Sequence, residues 1–297
     1  MPDLHAVWLI FPLVFLGGFI DSIAGGGGII TIPAYLFTGM PAHFAMGCNK
    51  LSASVGTTVS TVRFFRHGAM DLKVALLAVA GSFAGSTIAS RAVLLLDDKV
   101  IKTMVLVILP FVAAVVLLKR EPKPAAQKPN PAAQKPKPAA REPKPAAQKP
   151  NPATQKPEVS HDQTSDSHGL ADSSRGLART ITLAILIGLL IGAYDGLLGP
   201  GTGTFAIIAF TALMGFDLKT ASGNAKALNL ASNYAALLTF IQAGTIYYEI
   251  ALPAALCGLA GNFLGSGLAI RKGAAFIRPF LVVVLILIFI SLAIEVF

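Results

Sequence analysis

Two aspartates and two lysines stand where an apolar chain has least use for charge. Asp21 and Asp195 lie at the ends of apolar segments, each just before a glycine-rich break. A carboxylate at membrane depth costs about 2.5–3.5 kcal/mol, so its retention needs a reason. One reading is a coupling site whose charge changes as a proton or cation is taken up and released. The other is structural: Asp accepts hydrogen bonds from backbone N–H groups freed where a helix breaks. Lys50 and Lys226 open matched apolar segments, with Asn49 and Asn224 beside them. An ammonium can neutralise an anionic solute, and an amide can donate to its oxygens. A lysine near a helix end can instead carry its charge to the headgroups along its stem. Asn229 and Asn233, one turn apart on a helix face, could line the same cavity or join helices.

The breaks themselves are Gly25 to Gly28, including Gly27, and Gly199-Pro200-Gly201. Glycine lets the backbone leave a helix without a Cβ penalty. Irregular backbone at membrane depth is tolerated only against protein or a water-filled cavity. A helix starting just afterwards turns its positive end to the break, which suits an anion. At Gly81/Gly85 and Gly188/Gly192 the small-xxx-small spacing points to close helix packing instead.

Other chemistry is missing. There is no G-x-x-x-x-G-K-[ST], no H-E-x-x-H and no G-x-S-x-G, so no nucleotide cradle, zinc site or serine elbow is expected. Cys48 and Cys257 are too few for a disulfide framework or a metal site. The five histidines are scattered. The expectation is a protein that is no enzyme and needs no cofactor or metal. Its rivals are a membrane enzyme and a membrane scaffold with a proline-rich arm.

Apolar segments must position these residues. Of 297 residues, 54% are hydrophobic and 13% charged, too little charge to cover a soluble domain. Met1 to Val7 carries no Lys or Arg, so the first apolar run reads as a retained span rather than a signal peptide. The formal charge of +9 could mean nucleic acid, but residues 119–179 hold twelve Lys/Arg against six Asp/Glu with no interleaved aromatic. That pattern reads as a solvated cationic linker near anionic lipid. Within it, Glu121 to Gln155 repeats a seven-residue unit five times, with two prolines in each. Two prolines per unit exclude an α-helix and favour an extended spacer.

Outside that segment the two halves match. Asp21 to Gly27 corresponds to Asp195 to Gly201, and Gly47 to Lys50 to Gly223 to Lys226. Gly81, Gly85, Ser86 and Arg91 recur as Gly261, Gly265, Ser266 and Arg271. Each half holds five apolar segments, the second of them short. In the first they run Ala6–Ile20, Ile29–Thr38, Phe44–Val62, Val74–Leu96 and Val100–Leu118. In the second they run Ile181–Leu198, Phe205–Met214, Ala225–Ala243, Ile250–Ile270 and Phe280–Phe297. Short, broken segments at matching places of two halves point to a transporter binding site. If all five cross, eleven Lys/Arg fall on the cytoplasmic side and three outside; with four crossings the split is seven to seven. The positive-inside rule therefore favours inverted repeats of five.

The motif Gly18-Phe-Ile-Asp21-Ser-Ile-Ala-Gly-Gly-Gly-Gly28-Ile-Ile-Thr-Ile-Pro33 closely resembles the TauE/SafE sulfite-exporter family, most of all its YfcA-type branch. So do Asn49-Lys50-Leu51, Tyr194-Asp195-Gly196, Gly199-Pro200, Gly215-Phe216, Ala225 to Asn229, and the stretch from Lys272-Gly to Ile277-Arg-Pro279. The resemblance covers nearly everything but residues 119–178. It implies a multi-pass plasma-membrane carrier for small sulfur-containing anions such as sulfite or organosulfonates. That family is usually drawn with fewer spans than the ten counted here, and with a short charged loop in place of the proline repeat.

The expected fold is an all-α integral membrane protein with two homologous halves of four to five helical segments each. They form inverted repeats with glycine-broken helices, 1–118 and 179–297, joined by a disordered Pro-rich cytoplasmic linker, 119–178. The expected partners are a small anionic solute and the bilayer, not nucleic acid. A homo-oligomer and a partner for the proline arm stay open. The substrate site is expected at Asn49, Lys50, Asn224, Lys226, Asn229 and the four break glycines, with proton coupling at Asp21 and Asp195.

Overall fold

The computed structural model describes residues 4–118 and 166–272. The proline repeat and the segment Phe280–Phe297 lie outside the described residues. By contacts the chain divides into two units, Met1–Lys119 with Gly176–Phe297, and Arg120–Arg175. Everything below concerns the first.

Asp217 and Asp71 show how the chain starts its long helices. Each sits in extended backbone at an N-cap and accepts two N–H groups of the first turn, Lys219 and Thr220 or Lys73 and Val74. Partial burial pushes the Asp217 carboxyl up, but bonds from the Thr220 hydroxyl and these N–H groups outweigh it. Its carboxyl stays below the usual carboxylate range. Where the first half has Pro41 at the matching cap, the N–H of Ala42 goes instead to the Asp98 carboxylate at the start of another helix. Asp98 is tied in turn to Lys102 at 2.8 Å.

Among the described residues nine helices follow in order: α1 (Leu4–Ala24), α2 (Gly28–Leu36), α3 (Ala42–Arg66), α4 (Leu72–Val93), α5 (Asp98–Leu118), α6 (Asp166–Leu197), α7 (Thr202–Met214), α8 (Leu218–Gln242) and α9 (Tyr248–Lys272). These match nine of the ten apolar segments. α2 has nine residues and spans about 14 Å, and α7 about 20 Å, both short of a hydrocarbon core of about 30 Å. α2 cannot cross as a helix. It doubles back along α1, with Thr31 beside Gly17 and Gly27 beside Asp21.

Contacts between helices give their directions. On α6, Gly188, Gly192 and Gly196 press on Ala78, Ser82 and Ser86 of α4, advancing together. The Ser82 and Ser86 hydroxyls donate to the Leu228 and Ser232 carbonyls, so α8 is parallel to α4 as well. In the same way Gly261 and Gly265 of α9 press on Phe15 and Phe19 of α1. Ser60 of α3 donates to Asn262 of α9, and Arg63 lies one turn on against Phe263. α3 and α8 run oppositely, because Thr61 meets the Lys226 carbonyl while Thr57 meets Asn233. Thus α1, α3 and α9 point one way, and α4, α6 and α8 the other. α1 and its counterpart α6 are antiparallel: the repeat is inverted. The halves also exchange partners, since α4 packs on α6 and α8 while α9 packs on α1 and α3.

The outside is greasier than the inside. Leu190, Leu256, Phe263 and Ile88 are more than half exposed, while Ser82, Ser86, Ser232 and Asn224 are fully buried. In water such a surface would be a liability; against lipid it is the required one. Leu72–Val93, Leu177–Leu197 and Tyr248–Arg271 are long and apolar enough to cross a membrane. This is an all-α membrane protein.

Candidate functional site

The two glycine breaks touch. Gly25 sits at φ +78° with its carbonyl accepting the Thr204 N–H at 3.3 Å, and a Cβ on it would collide with the Gly203 backbone. Gly28 packs in the same way against Gly199 and Pro200. Only glycine allows both the left-handed turn and this backbone-to-backbone approach. α2 and α7 therefore begin side by side, their N-terminal ends at one place.

Around this point the lysines cross over. Lys50 Nζ donates to Asp195 Oδ2 at 2.7 Å, and both side chains are almost fully buried, 2% and 3% exposed. Lys226 Nζ donates to Asp21 Oδ2 at 2.9 Å, with Asp21 16% exposed. Each pair joins a lysine of one half to an aspartate of the other. Neither lysine is a bare positive charge waiting for an anion: both are neutralised. The settings differ. Lys50 also donates to the Asn233 amide oxygen at 3.1 Å, whereas Lys226 also donates to the Asp21 carbonyl at the end of α1. The Thr202 hydroxyl reaches Asp195 Oδ1 at 2.8 Å, and the matching position beside Asp21 is Gly28.

A cavity lies between the pairs, giving about 40 Å³ to the centre of a water-sized body, room for roughly three waters. Of the residues expected at the site, Asp21, Gly27, Asn49, Lys50, Asp195, Gly199 and Asn229 line it, with Asn233. Lys226 stands behind Asp21. Gly25 and Gly201 shape the breaks without lining the cavity, and a Cβ on Gly201 would strike Val112 of α5. Asn224 does not join. Its Oδ1 accepts the Asp71 N–H at 3.0 Å at the turn between α3 and α4. Its counterpart Cys48 accepts the Tyr247 N–H at the turn between α8 and α9. That symmetry marks both as ties for the loops.

Thr31, Thr57 and Asn262 also line the cavity and escape the sequence argument. Thr31 donates to Asn49 at 2.6 Å, Thr57 contacts Asn233, and Asn262 accepts from Ser60 at 2.7 Å while donating to the Gly258 carbonyl at 3.0 Å. Gly18 and Gly56 leave space for the Asn262 amide. An amide alone in an apolar run was the available signal for Asn262. Threonines carry none, since they bond their own helix anywhere.

A lipid-facing helical shell around a buried polar cavity is the build of a membrane transporter. A family model described as sulfite exporter TauE/SafE matches residues 10–292, and the chain belongs to that family. It is 33% identical over 290 residues to "Probable membrane transporter protein ORF9" of Sinorhizobium sp, covering 96% of this chain and 92% of that one. It is 30% identical over 276 residues to "Probable membrane transporter protein YfcA" of Escherichia coli, covering 93% and 85%. A "Probable membrane transporter protein" of Haemophilus influenzae is 29% identical over 281 residues, covering 95% and 91%. No solved structure matches the chain.

Proposed function

We propose that the protein is a secondary carrier of small sulfur-containing anions, such as sulfite or organosulfonates, in the plasma membrane. The reading is supported by the family's description and by one observation above all, the crossed pairs Lys50–Asp195 and Lys226–Asp21 at the meeting breaks. Two lysines and two aspartates sum to zero. An anion entering that neutral, buried site would bring uncompensated charge, which is costly. A proton bound by one carboxylate removes the excess and frees a lysine to hold the anion. Anion and proton then move together, one proton for each negative charge. The cavity's size restricts the solute to a few heavy atoms.

Inverted repeats supply the two access states, because each half can take the other's conformation. Because α1 and α3 point the same way, the short segment between them returns the chain. The Lys/Arg distribution then favours both ends outside, with the Pro-rich segment after α5 as a cytoplasmic linker. Purified protein in liposomes, offered sulfite, thiosulfate and sulfonates under an imposed pH gradient, tests the reading. Flux of one of them that collapses with the gradient is expected, and Lys50→Ala should abolish it. Normal flux in Lys50→Ala rejects the site; no flux of any of these anions rejects the carrier.

A further inference from the structure

The Thr202 hydroxyl has one proton and two acceptors. It lies 2.8 Å from Asp195 Oδ1 and 2.8 Å from the Gly199 carbonyl. A hydroxyl donates one hydrogen bond and accepts others. While Asp195 is ionised, the hydroxyl donates to the carboxylate and leaves the Gly199 carbonyl, among the described residues, one long contact, from the Thr202 N–H at 3.4 Å. If Oδ1 carries a proton, the chain closes: Asp195 Oδ1–H donates to Thr202 Oγ1, which donates to Gly199. Lys50 is on the other oxygen, Oδ2, so the two bonds do not compete.

We infer that Asp195 is the carboxylate that carries the transported proton, and that Thr202 is the positioning residue that bonds it in both charge states by turning its hydroxyl. The inference rests on the carrier reading and sharpens it to one half. Ionised Asp195 has Lys50 and Thr202; neutral Asp195, once Lys50 turns to an anion, has Thr202 alone. The hydroxyl therefore matters more to the neutral form. Among the described residues no hydroxyl bonds the Asp21 carboxylate in this way, and Gly28 stands where Thr202 would be.

The charged surroundings are few. Lys50 of α3 is the ion in contact with Asp195, Asp21 of α1 lines the same cavity, and Lys226 of α8 is held by Asp21. α7 has no titratable side chain, and α2 has only Tyr35, which bonds Ser52. Tyr194, next in sequence, donates to the Pro200 carbonyl. Lys73 and Arg91 of α4 and Lys99 and Lys102 of α5 are exposed. Asp98 of α5 bonds Ala42 and Lys102.

Infrared difference spectra of the purified full-length protein, recorded from alkaline to acid buffer, test this without any substrate. The carbonyl stretch of a buried protonated carboxyl, set apart by its higher wavenumber from those of the exposed Asp and Glu, should be present in the native protein and absent from Asp195→Asn, yet kept in Asp21→Asn. In Thr202→Val the stretch should move to higher wavenumber as its acceptor is lost, and need about tenfold more protons to appear. Thr202→Ser should restore both; Thr202→Ala replaces the valine variant if that does not assemble. In liposomes Thr202→Val should lose about tenfold of its proton-driven anion flux. A native stretch in Thr202→Val, or its loss in Asp21→Asn with retention in Asp195→Asn, overturns the inference. A native protein that carries no anion but shows the stretch and its Thr202 dependence removes the carrier reading and leaves the proton site standing.

Discussion

The two ion pairs occupy equivalent places in an inverted repeat and are surrounded differently. Lys50–Asp195 is sealed from solvent, braced by Asn233 on the lysine and Thr202 on the carboxylate. Lys226–Asp21 is partly open at the aspartate, and its lysine also closes the carbonyl end of α1. Duplication supplied the same two residues, an aspartate and a lysine, twice. Neighbours that differ between the halves then separated their tasks: Thr202 against Gly28, Asn233 against Thr57, Asn229 against Ala53. If Asp195 carries the transported proton, the sealed pair is the one that changes its charge, while the open one holds a helix end.

That contrast can be broken most forcefully at the lysines. Lys50→Ala strands a buried carboxylate and should destabilise the protein by about 3–5 kcal/mol, the usual effect of halving a buried pair. Lys226→Ala leaves Asp21 within reach of water and should cost less; equal losses in thermal unfolding would erase the distinction. Replacing both members, Lys50→Met with Asp195→Leu, should recover most of the stability and none of the transport.

A smaller effect separates the breaks. Gly25→Ala meets both a left-handed backbone and the Gly203 chain, whereas Gly199→Ala meets the left-handed backbone at φ +90° with no atom nearer than 3.6 Å. The second should cost about 1–2 kcal/mol, and the first clearly more. Chemical denaturation of the two variants in one detergent checks the order.

Smaller again are the helix starts. Asp217→Ala removes a cap that accepts two N–H groups and should cost about 0.5–2 kcal/mol at neutral pH. Its carboxyl is held below its unfolded value, so the contribution is complete above that value, about 3.9. It fades as pH falls through the folded value. Melting curves of native and variant should therefore converge in acid; a gap that persisted or widened there would refute the cap's ionisation. The mildest variant should be Asn224→Ala, which loosens the turn at Asp71 by about 1 kcal/mol while leaving solute affinity as it was. A large rise in KM would return Asn224 to the site.

Much of this was legible in the chain. Segment lengths followed from apolar runs, and the inverted relation from where Lys and Arg cluster, because both are one-dimensional patterns. Asp21, Lys50, Asp195 and Lys226 announced themselves as charges in apolar surroundings. Their cross-pairing did not, since it depends on α4 and α9 exchanging halves, and no spacing within one half records that. Asn224 misled for a related reason: its position beside Lys226 turns it to another side of α8, where a backbone N–H was waiting. Thr202 was silent because what sets it apart is having two acceptors at once, and only three dimensions count acceptors.

The exchange of partners between halves also bears on biosynthesis. Phe15 rests on Gly261, which leaves the ribosome about 250 residues later; at about 5–20 residues per second that is roughly 10–50 s. Throughout that interval the face of α1 that α9 covers, from Phe15 to Ser22, has only lipid or a membrane chaperone against it. Nascent chains stopped before α9 should be prime targets for membrane proteases.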